Sequence, residues 1–398
     1  MVTQEENQSL TKVGPGTPGG ELLRRYWHPI AIASELTEEN PTKFVRILCE
    51  DLVLFRDKKS NVGLIGDRCP HRGASLLYGR VEERGIACAY HGWLYDTQGN
   101  CLETPPEPAE SKFRLTIKHK AYPVQKFVGL FWTYMGPQPA PAIPKYDLLV
   151  RKDGRRTILV HPQLDCNWVQ AMENSVDPSH LEVLHQEIIG QGRKPVNTTR
   201  GFVDEVDHYE FEITSYGILK NRTYKNGQRD SHPLVFPNIL RQGKTAQFRV
   251  PVDDTHTFHI HIVFEPTPDG SLVEDDENPA VEYVEPYKEP AKGLYPNADF
   301  SMGMKKVIGQ DHMAWETQGP IADRTRERLS TSDRGIVIYR ELLKENIQKV
   351  QLGQDPMGVM RDPNHEMIDT KLTESLRGSE TRGRPMSGTK TKHSDFRQ

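Results

Sequence analysis

The sequence predicts an α+β protein in which a small antiparallel β domain is followed by a larger domain of antiparallel strands and helices. From about residue 29, short β-like runs alternate with polar turns, and a second series of such runs spans residues 200–265. Residues 167–185 favour a helix, and residues 336–347 carry apolar side chains at helical spacing. With 398 residues, the chain is long enough for two or three domains, each with its own core.

The composition excludes several functional classes. The net charge is −4, and no long basic stripe indicates a nucleic-acid partner. The start of the chain is acidic and polar, unlike a secretory or transit peptide, and the richest apolar run, residues 127–135, reads as a buried strand rather than a membrane span. Five cysteines without a secretory signal favour a reducing compartment over a disulfide framework. We therefore expect a cytoplasmic bacterial protein without a membrane partner.

Changes in composition divide the chain into four parts. Residues 1–26 contain glycines, prolines and a short helical pattern, and we expect them to pack on the second domain. The first domain then occupies residues 27–140 and ends in the proline-rich stretch 136–147. The second domain occupies residues 141–375. Residues 376–398 are polar and poor in apolar side chains, which predicts disorder.

Two loops of the first domain share one arrangement. Cys69 and His71 form a C-x-H loop, and Cys88 and His91 form a C-x-x-H loop followed by Gly-Trp. Each loop supplies one thiolate and one imidazole, and the small residues beside them would let backbone amides approach an inorganic sulfur. A zinc site is the alternative, although zinc-finger spacings usually pair Cys with Cys and His with His. The remaining cysteines are expected to be small buried groups: Cys49, Cys101 and Cys166.

These loops resemble the ligand boxes of Rieske iron–sulfur proteins. In that family two cysteines hold one iron and two histidines hold the other, so the resemblance implies a 2Fe–2S cluster on Cys69, His71, Cys88 and His91. Such a cluster transfers one electron at a time. The electron can pass to a quinol or to a second metal centre in the same chain. The missing membrane anchor and the long second domain favour the second metal centre.

The stretch from Asn167 to His185 carries the second candidate centre. Its polar groups are Glu173, Asp177, His180 and His185. Two imidazoles and a carboxylate are the ligands of non-haem iron sites with open coordination positions. Asp177 followed by Pro178 suits a helix cap and the first helical turn. His180 and His185 would diverge by about 140° on an ideal helix, so binding one metal requires a bulge or kink between them.

The pattern Asp177-x-x-His180-x-x-x-x-His185 resembles the mononuclear-iron box of Rieske oxygenase alpha subunits. The resemblance implies that His180 and His185 bind Fe(II). It also implies that Asp177 bridges this centre and the cluster of a neighbouring subunit, because a carboxylate there can accept the second imidazole N–H of a ligand. Bridging between subunits in turn implies a ring-shaped oligomer, most simply a homotrimer.

The third iron ligand should be a carboxylate far along the chain. Composition leaves four candidates open, namely Asp299, Asp311, Glu316 and Asp323. The segment from Ile308 to Thr325 resembles phthalate-dioxygenase-like members, and this match implies Asp311, with His312 as an incidental polar neighbour. The family fold implied for the second domain is a helix-grip, START-like arrangement in which an antiparallel sheet wraps over a C-terminal helix.

The same resemblance implies an oxygenase component that uses O₂. A dinucleotide fingerprint is not evident, so NAD(P)H would act through a separate reductase, with or without a ferredoxin. The expected substrate is an aromatic carboxylate or a methoxy-aromatic compound. O-demethylation with formaldehyde release is the leading hypothesis, ring dihydroxylation is the alternative, and a non-catalytic electron carrier is a distant one.

Substrate contacts are harder to choose from the sequence. An arginine of residues 200–265 could pair with a substrate carboxylate. The candidates for substrate contacts are Asn167, Arg222, Arg241 and Arg249. Strand alternation also puts His259 and His261 on one face, with His256 just outside. We expect these histidines to line a pocket or meet polar partners, and a second metal site is the alternative.

Overall fold

The computed structural model describes residues 2–185, 206–273, 278–284 and 307–374. The elements up to residue 150 are α1 (Gln4–Thr11), α2 (Pro18–Leu23), β1 (Trp27–Ile32), β2 (Thr42–Ile47), β3 (Glu50–Arg56), β4 (Val62–Gly66), β5 (Arg80–Glu82), β6 (Gly85–Ala87), β7 (Leu94–Tyr95), β8 (Cys101–Glu103), β9 (Ala121–Tyr122), β10 (Val124–Phe127), β11 (Leu130–Tyr134) and α3 (Asp147–Val150). The later elements are β12 (Gly154–Val160), α4 (Trp168–Val176), α5 (His180–Val183), β13 (Val206–Ile213), β14 (Gly217–Tyr224), β15 (Arg229–Val235), β16 (Ile239–Gln242), β17 (Thr245–Pro251), β18 (Thr257–Pro266), β19 (Ala280–Tyr283), α6 (Val307–Glu316) and α7 (Arg334–Gln351).

Three small antiparallel sheets form the N-terminal β region. Their strand orders are β2-β3-β4-β9, β1-β11-β10 and β5-β6-β7-β8. The Cys69 loop follows β4, and the Cys88 loop connects β6 to β7. A compact apolar cluster that includes Phe55, Ile65 and Ile86 lies beneath both loops and also contains the two cysteines. Rigid strands therefore hold both loops on one core.

The run from Phe127 to Met135 is a hairpin rather than the single buried strand expected from its apolar composition. β10 ends at Phe127 and β11 begins at Leu130, with Val128 (φ 50°) and Gly129 (φ 69°) as the two turn residues. Two consecutive positive φ angles are the geometry of a tight turn between twisted strands. The apolar composition of this run therefore did not indicate that the chain reverses direction within it.

The second domain is built on an eight-stranded sheet with the order β13-β14-β15-β16-β17-β18-β12-β19. All neighbours are antiparallel except β12 and β19. Helix α4 packs on β16, β17, α6 and α7. The α+β class, the strands within residues 200–265 and the helix over residues 336–347 are thus confirmed.

The stretch from Asn167 to His185 is two helices, not one. Asn167 begins α4 by accepting a hydrogen bond from the Val169 N–H at 3.0 Å. Helix α4 stops at Asp177 because the next residue, Pro178, has no N–H and disfavours helical backbone in the residue before it. Asp177 is accordingly extended (φ −90°, ψ 109°) and ends α4, whereas the prediction had made it the cap of a helix start. This break precedes His180, so it does not lie between His180 and His185, where their spacing predicted one; between the two histidines, α5 ends at Val183.

The N-terminal helices contact the second domain. Asn7 donates to the Ala322 carbonyl at 3.1 Å, and the Lys12 ammonium lies 2.8 Å from Asp254. Asp254 also accepts the Val13 N–H at 2.9 Å, and its carbonyl accepts the Asn167 side-chain N–H at 2.7 Å. The boundaries at residues 26, 140 and 375 stay predictions, and residues 375–398 lie outside the described part of the chain.

The helices among the described residues are all too short or too polar to cross a bilayer. Of the cysteines expected to be buried, Cys101 and Cys166 are buried, whereas Cys49 is exposed. Cys49 lies in a turn between β2 and β3 with φ 62°, so the expectation for this residue was wrong. Cys49 is exposed because it lies in a hairpin turn. The sequence pattern of the flanking strands did not predict this turn.

Candidate metal centres

The two Cys-His loops meet with their thiols inside and their imidazoles outside. Cys69 and Cys88 are each 2% exposed, whereas His71 is exposed and His91 is half-exposed. The rings of His71 and His91 are 4.5 Å apart, and His71 stacks on Trp93 at 4.4 Å. Burial raises the pKa of the Cys69 thiol in the absence of a bound metal. A metal bound to the thiolate would supply the positive charge that offsets this cost.

The separation of these four residues distinguishes between one metal ion and two. A tetrahedral zinc ion would hold its ligand atoms within about 3.3–3.8 Å of one another. Within the described chain, two other groups of three residues have ligand atoms within 4.8 Å of one another, but the four loop residues do not form such a group. Two buried thiols and two outward imidazoles without such a compact group fit a cluster with two irons better than a single zinc ion.

The second candidate centre brings together His180, His185 and Asp311, whose ligand atoms all lie within 4.8 Å of one another. The Asp311 Oδ1 atom is 3.1 Å from His185 Nε2 and 3.7 Å from His180 Nε2. His180 opens α5, His185 follows it, and Asp311 faces them from α6. Two imidazoles and one carboxylate on converging helices are the donor set of a non-haem Fe(II) site.

Neighbouring amides orient these ligands. The His185 Nδ1–H donates to the Gln310 side-chain oxygen at 2.7 Å, which leaves Nε2 with its lone pair directed at the centre. The Asn174 side-chain N–H donates to Asp311 at 3.3 Å. Burial alone would raise the pKa of Asp311, but contact with His185 and His180 holds it below its ordinary value. The carboxylate is therefore ionised, as a metal ligand must be.

Asp177 lies beside His180 at the break between α4 and α5. Its Oδ2 atom is 3.6 Å from His180 Nδ1, and its Oδ1 atom accepts the Ser179 N–H at 2.8 Å. Burial alone would raise the pKa of Asp177, but contact with His180 and Ser179 lowers it. The carboxylate thus faces the ring nitrogen of His180 that points away from Asp311.

Glu173, the other carboxylate of this stretch, contacts arginines rather than histidines. It is buried between two arginines, with contacts of 2.7 Å to Arg324 and 2.6 Å to Arg340. Arg340 also contacts Glu327 at 2.7 Å. This ion network joins α4 to α7 and to the chain segment after α6, so Glu173 positions the helix that leads to the candidate centre.

A small cavity of about 20 Å³ adjoins the triad. Among its lining residues are His180, Asp311, Asn174, Lys220, His232 and Gln247. Its size is sufficient for about one water-sized group, so the ring of an aromatic substrate requires these side chains to move apart.

The side chains predicted to contact substrate do not line this cavity in the described residues. Asn167 caps α4, and Arg241 bonds to Thr370 and to carbonyls of its own hairpin. Arg249 is fully buried and donates to the Ala171 carbonyl at 2.7 Å and to Ser175. Arg222 pairs with Asp230. A substrate contact stays a prediction for these residues.

The remaining candidates for the third carboxylate lie elsewhere. Glu316 accepts the Asp165 N–H at 2.7 Å, and Asp323 is exposed and bonded to Thr325. Asp299 lies outside the described residues.

The histidines of β18 meet other histidines. His259 Nδ1 is 3.0 Å from His312 Nε2, and His259 Nε2 is 3.0 Å from His261 Nε2. His161 stacks on His259 at 4.7 Å and completes a buried cluster of four. Burial and neighbouring imidazoles lower the pKa of His259 and His261 well below 6.5, so both are neutral. His312 is therefore part of a network, and His161 had no local signal, because only the sheet brings it to the others.

Comparisons with known proteins agree with this layout. Residues 26–126 match the Rieske [2Fe–2S] domain, and residues 294–373 match the family described as LigXa C-terminal domain like. The chain is 38% identical over 373 residues to the 5,5′-dehydrodivanillate O-demethylase oxygenase subunit of a Sphingobium species, spanning 91% of this chain and 84% of that relative. The chain belongs to the Rieske oxygenases.

Other relatives of this Rieske oxygenase subunit differ in the reaction that their names describe. It is 32% identical over 396 residues to the phthalate 4,5-dioxygenase oxygenase subunit of Pseudomonas putida, spanning 90% of this chain and 89% of that relative. A solved oxygenase–ferredoxin complex of carbazole 1,9a-dioxygenase has the same fold, with a TM-score of 0.58 and 19% identity over 88% of this chain and 96% of that one. This oxidoreductase therefore has the two-domain architecture of a Rieske oxygenase subunit.

Proposed function

We propose that this Rieske oxygenase subunit catalyses O-demethylation of a methoxy-aromatic compound. The proposal rests on the triad of His180, His185 and Asp311 beside a cavity, in a chain that is 38% identical to an O-demethylase oxygenase subunit. Monooxygenation of the methyl carbon gives a hemiacetal, which releases formaldehyde and leaves a phenol. The balance is an aryl methyl ether, O₂, two electrons and two protons in, and a phenol, formaldehyde and water out.

The 2Fe–2S cluster is assigned to Cys69, His71, Cys88 and His91. Two buried thiols and two outward imidazoles suit a cluster whose inner iron is bound by cysteines and whose outer iron is bound by histidines. The exposed edge of His71 gives electrons a short path out of the domain.

The mononuclear iron is assigned to His180, His185 and Asp311, with one iron and one cluster in each subunit. When bound, this iron supplies the activation of O₂ with electrons that arrive through the cluster. Gln310 keeps His185 in the tautomer that presents Nε2, and the buried surroundings exclude bulk water.

Asp177 is assigned as the bridge between the two kinds of centre. Its carboxylate faces the outer nitrogen of His180, and its other partner would be a cluster histidine of a neighbouring subunit. This role requires a closed oligomer, and we propose a homotrimer. Light scattering of the purified protein checks it, and a monomer would contradict the bridge.

The electrons come from NAD(P)H through a separate reductase, with or without a ferredoxin. The family neighbour solved as an oxygenase–ferredoxin complex supports the partner class. Ring dihydroxylation is the second candidate reaction, favoured by the 32% identity to a phthalate 4,5-dioxygenase oxygenase subunit.

Product analysis distinguishes these reactions. The purified protein, a reductase and NADH are supplied with 5,5′-dehydrodivanillate, 4-methoxybenzoate or phthalate under air. We expect formaldehyde in proportion to O₂ consumed with the methoxylated compounds. A diol without formaldehyde would establish the second candidate, and oxidation of none of the three would contradict the proposed substrate class.

A further inference from the structure

Lys220 and His232 form a pair beside the candidate iron centre. They lie directly opposite each other on β14 and β15, and both line the cavity that also contacts His180 and Asp311. Gln247 supplies a further polar group on the same wall. The cavity therefore has the triad on one side and hydrogen-bond donors on another.

The charge of Lys220 is buried and only partly satisfied. The residue is 3% exposed, and its ammonium donates one hydrogen bond, to the Ser175 carbonyl at 3.0 Å, while it forms no salt bridge within the described part of the chain. An ammonium has three N–H donors, and a buried charge without an opposite charge is costly. Burial lowers the pKa of Lys220 to about 8, so the group remains mostly charged at neutral pH.

A purely structural role accounts for part of this arrangement. Ser175 lies in the last turn of α4, where carbonyls accept hydrogen bonds and a positive charge is favourable. That contact uses one donor of three. The neighbouring cation Arg222 shows the contrast, because Asp230 binds it through two hydrogen bonds of 2.9 and 2.7 Å.

We propose that Lys220, with His232 beside it, binds the carboxylate of an aromatic substrate and so orients the ring towards the triad. The inference rests on the proposed function and names its substrate class as aromatic carboxylates. A carboxylate oxygen is a water-sized group that would accept hydrogen bonds from the ammonium and from an imidazole N–H, while the attached ring requires the other cavity side chains to move apart. A neutral substituent at the same place would give the ammonium no salt-bridge partner, because Asp177 and Asp230 act on Lys220 without a direct contact in the described structure.

Binding of matched ligands tests the proposal without turnover. Dissociation constants of 4-methoxybenzoate and 4-methoxybenzamide are measured anaerobically by calorimetry, with the metal-loaded protein. The wild-type protein should prefer the carboxylate. Lys220→Met should weaken binding of the carboxylate by about 10- to 100-fold and leave binding of the amide within about twofold. Lys220→Arg, which keeps the charge, should retain most of the preference.

Lys244→Met is the matched control, because Lys244 lies in the turn between β16 and β17, pairs with Glu265 and does not line the cavity within the described residues. It should leave the preference unchanged. Equal binding of carboxylate and amide by the wild-type protein would overturn the proposal, as would an equal loss of both in Lys220→Met with normal metal content. Formaldehyde release is a separate measurement, so failure of O-demethylation and failure of the carboxylate site give different results.

Discussion

At the scale of single residues, Asp177 carries the sharpest consequence. Replacing it with Asn keeps the size of the side chain and removes the negative charge that faces His180 Nδ1. We expect Asp177→Asn to retain both kinds of metal centre and to lose turnover by about 10- to 100-fold, the usual effect of removing a partner of a metal ligand. Iron content, the cluster's EPR signal and steady-state O₂ consumption measure the three parts of this expectation.

Asp207→Asn provides the control, because Asp207 contacts His208 at 2.7 Å on the exposed surface. Its turnover should be normal. If Asp177→Asn were equally active, Asp177 would be only the end of α4.

No role was predicted for Gln310. It accepts the His185 Nδ1–H and so fixes the tautomer of a proposed iron ligand. We expect Gln310→Leu to weaken binding of Fe(II) at the triad by about 10- to 100-fold and to leave the cluster's visible absorption unchanged. Anaerobic equilibrium dialysis measures the affinity.

Gln318→Leu is the companion variant, since Gln318 is exposed and donates only to a carbonyl of α6 within the described residues. It should bind Fe(II) like the wild-type protein. Unchanged affinity in Gln310→Leu would mean that packing alone orients His185.

At the scale of elements, the position of α4 depends on an ion network. Burial would raise the pKa of Glu173, but Arg324 and Arg340 hold it below its ordinary value, so the carboxylate is charged. Glu173→Gln leaves two arginines without their shared anion. We expect the free energy of unfolding to fall by about 3–5 kcal/mol, as when one partner of a buried ion pair is removed.

Urea denaturation followed by circular dichroism measures this loss. Glu341→Gln removes an exposed partner of Lys344 on α7 and should change stability by less than about 1 kcal/mol. Similar small losses in both variants would show that the network contributes little.

The elements also show which features a sequence can predict. The cluster loops were recognisable because each pairs its residues within four positions of the chain. Asp311 lies 126 positions from His185, and only resemblance to a family connected them. The spacing of His180 and His185 predicted an irregularity between them, and α5 does end at Val183, whereas the break at Pro178 precedes both histidines.

Lys220 and His161 could not be predicted for a different reason. Lys220 stands beside Asn221 and Arg222 in a polar part of β14, and its burial follows from the register with His232 and the packing of α4. His161 is joined to His259 and His312 by the sheet and α6, which no local pattern specifies. Features assembled from distant segments are therefore the ones that the sequence leaves open.

For the whole molecule, buried histidines predict sensitivity to acid. Burial lowers the pKa of His28 to about 4, and it lowers the pKa of His259 and His261 further below their ordinary value. These groups have a pKa near 6.5 when unfolded, so below that pH the unfolded chain binds protons that the folded chain does not. The free energy of unfolding should therefore fall between about pH 6.5 and 4, by about 2 kcal/mol at pH 5 for each imidazole that stays neutral.

Denaturation at pH 7.5, 6 and 5 measures how steeply the free energy of unfolding changes with pH. His28→Gln should reduce the pH dependence of the free energy of unfolding by the contribution of one proton. His208→Gln, at an exposed position, should leave this pH dependence unchanged. A slope that was the same in wild type and His28→Gln would mean that His28 is protonated in the folded chain.

The first thirteen residues are bonded to the beginning of α4, so their loss would affect the rest of the protein. Asp254 accepts hydrogen bonds from Lys12 and Val13, and the same Asn167 side chain that begins α4 donates to Thr11 and to Asp254. The first thirteen residues therefore hold the beginning of the helix whose other end is Asp177. Proteolytic trimming there should loosen the candidate iron centre without removing any of the proposed ligands.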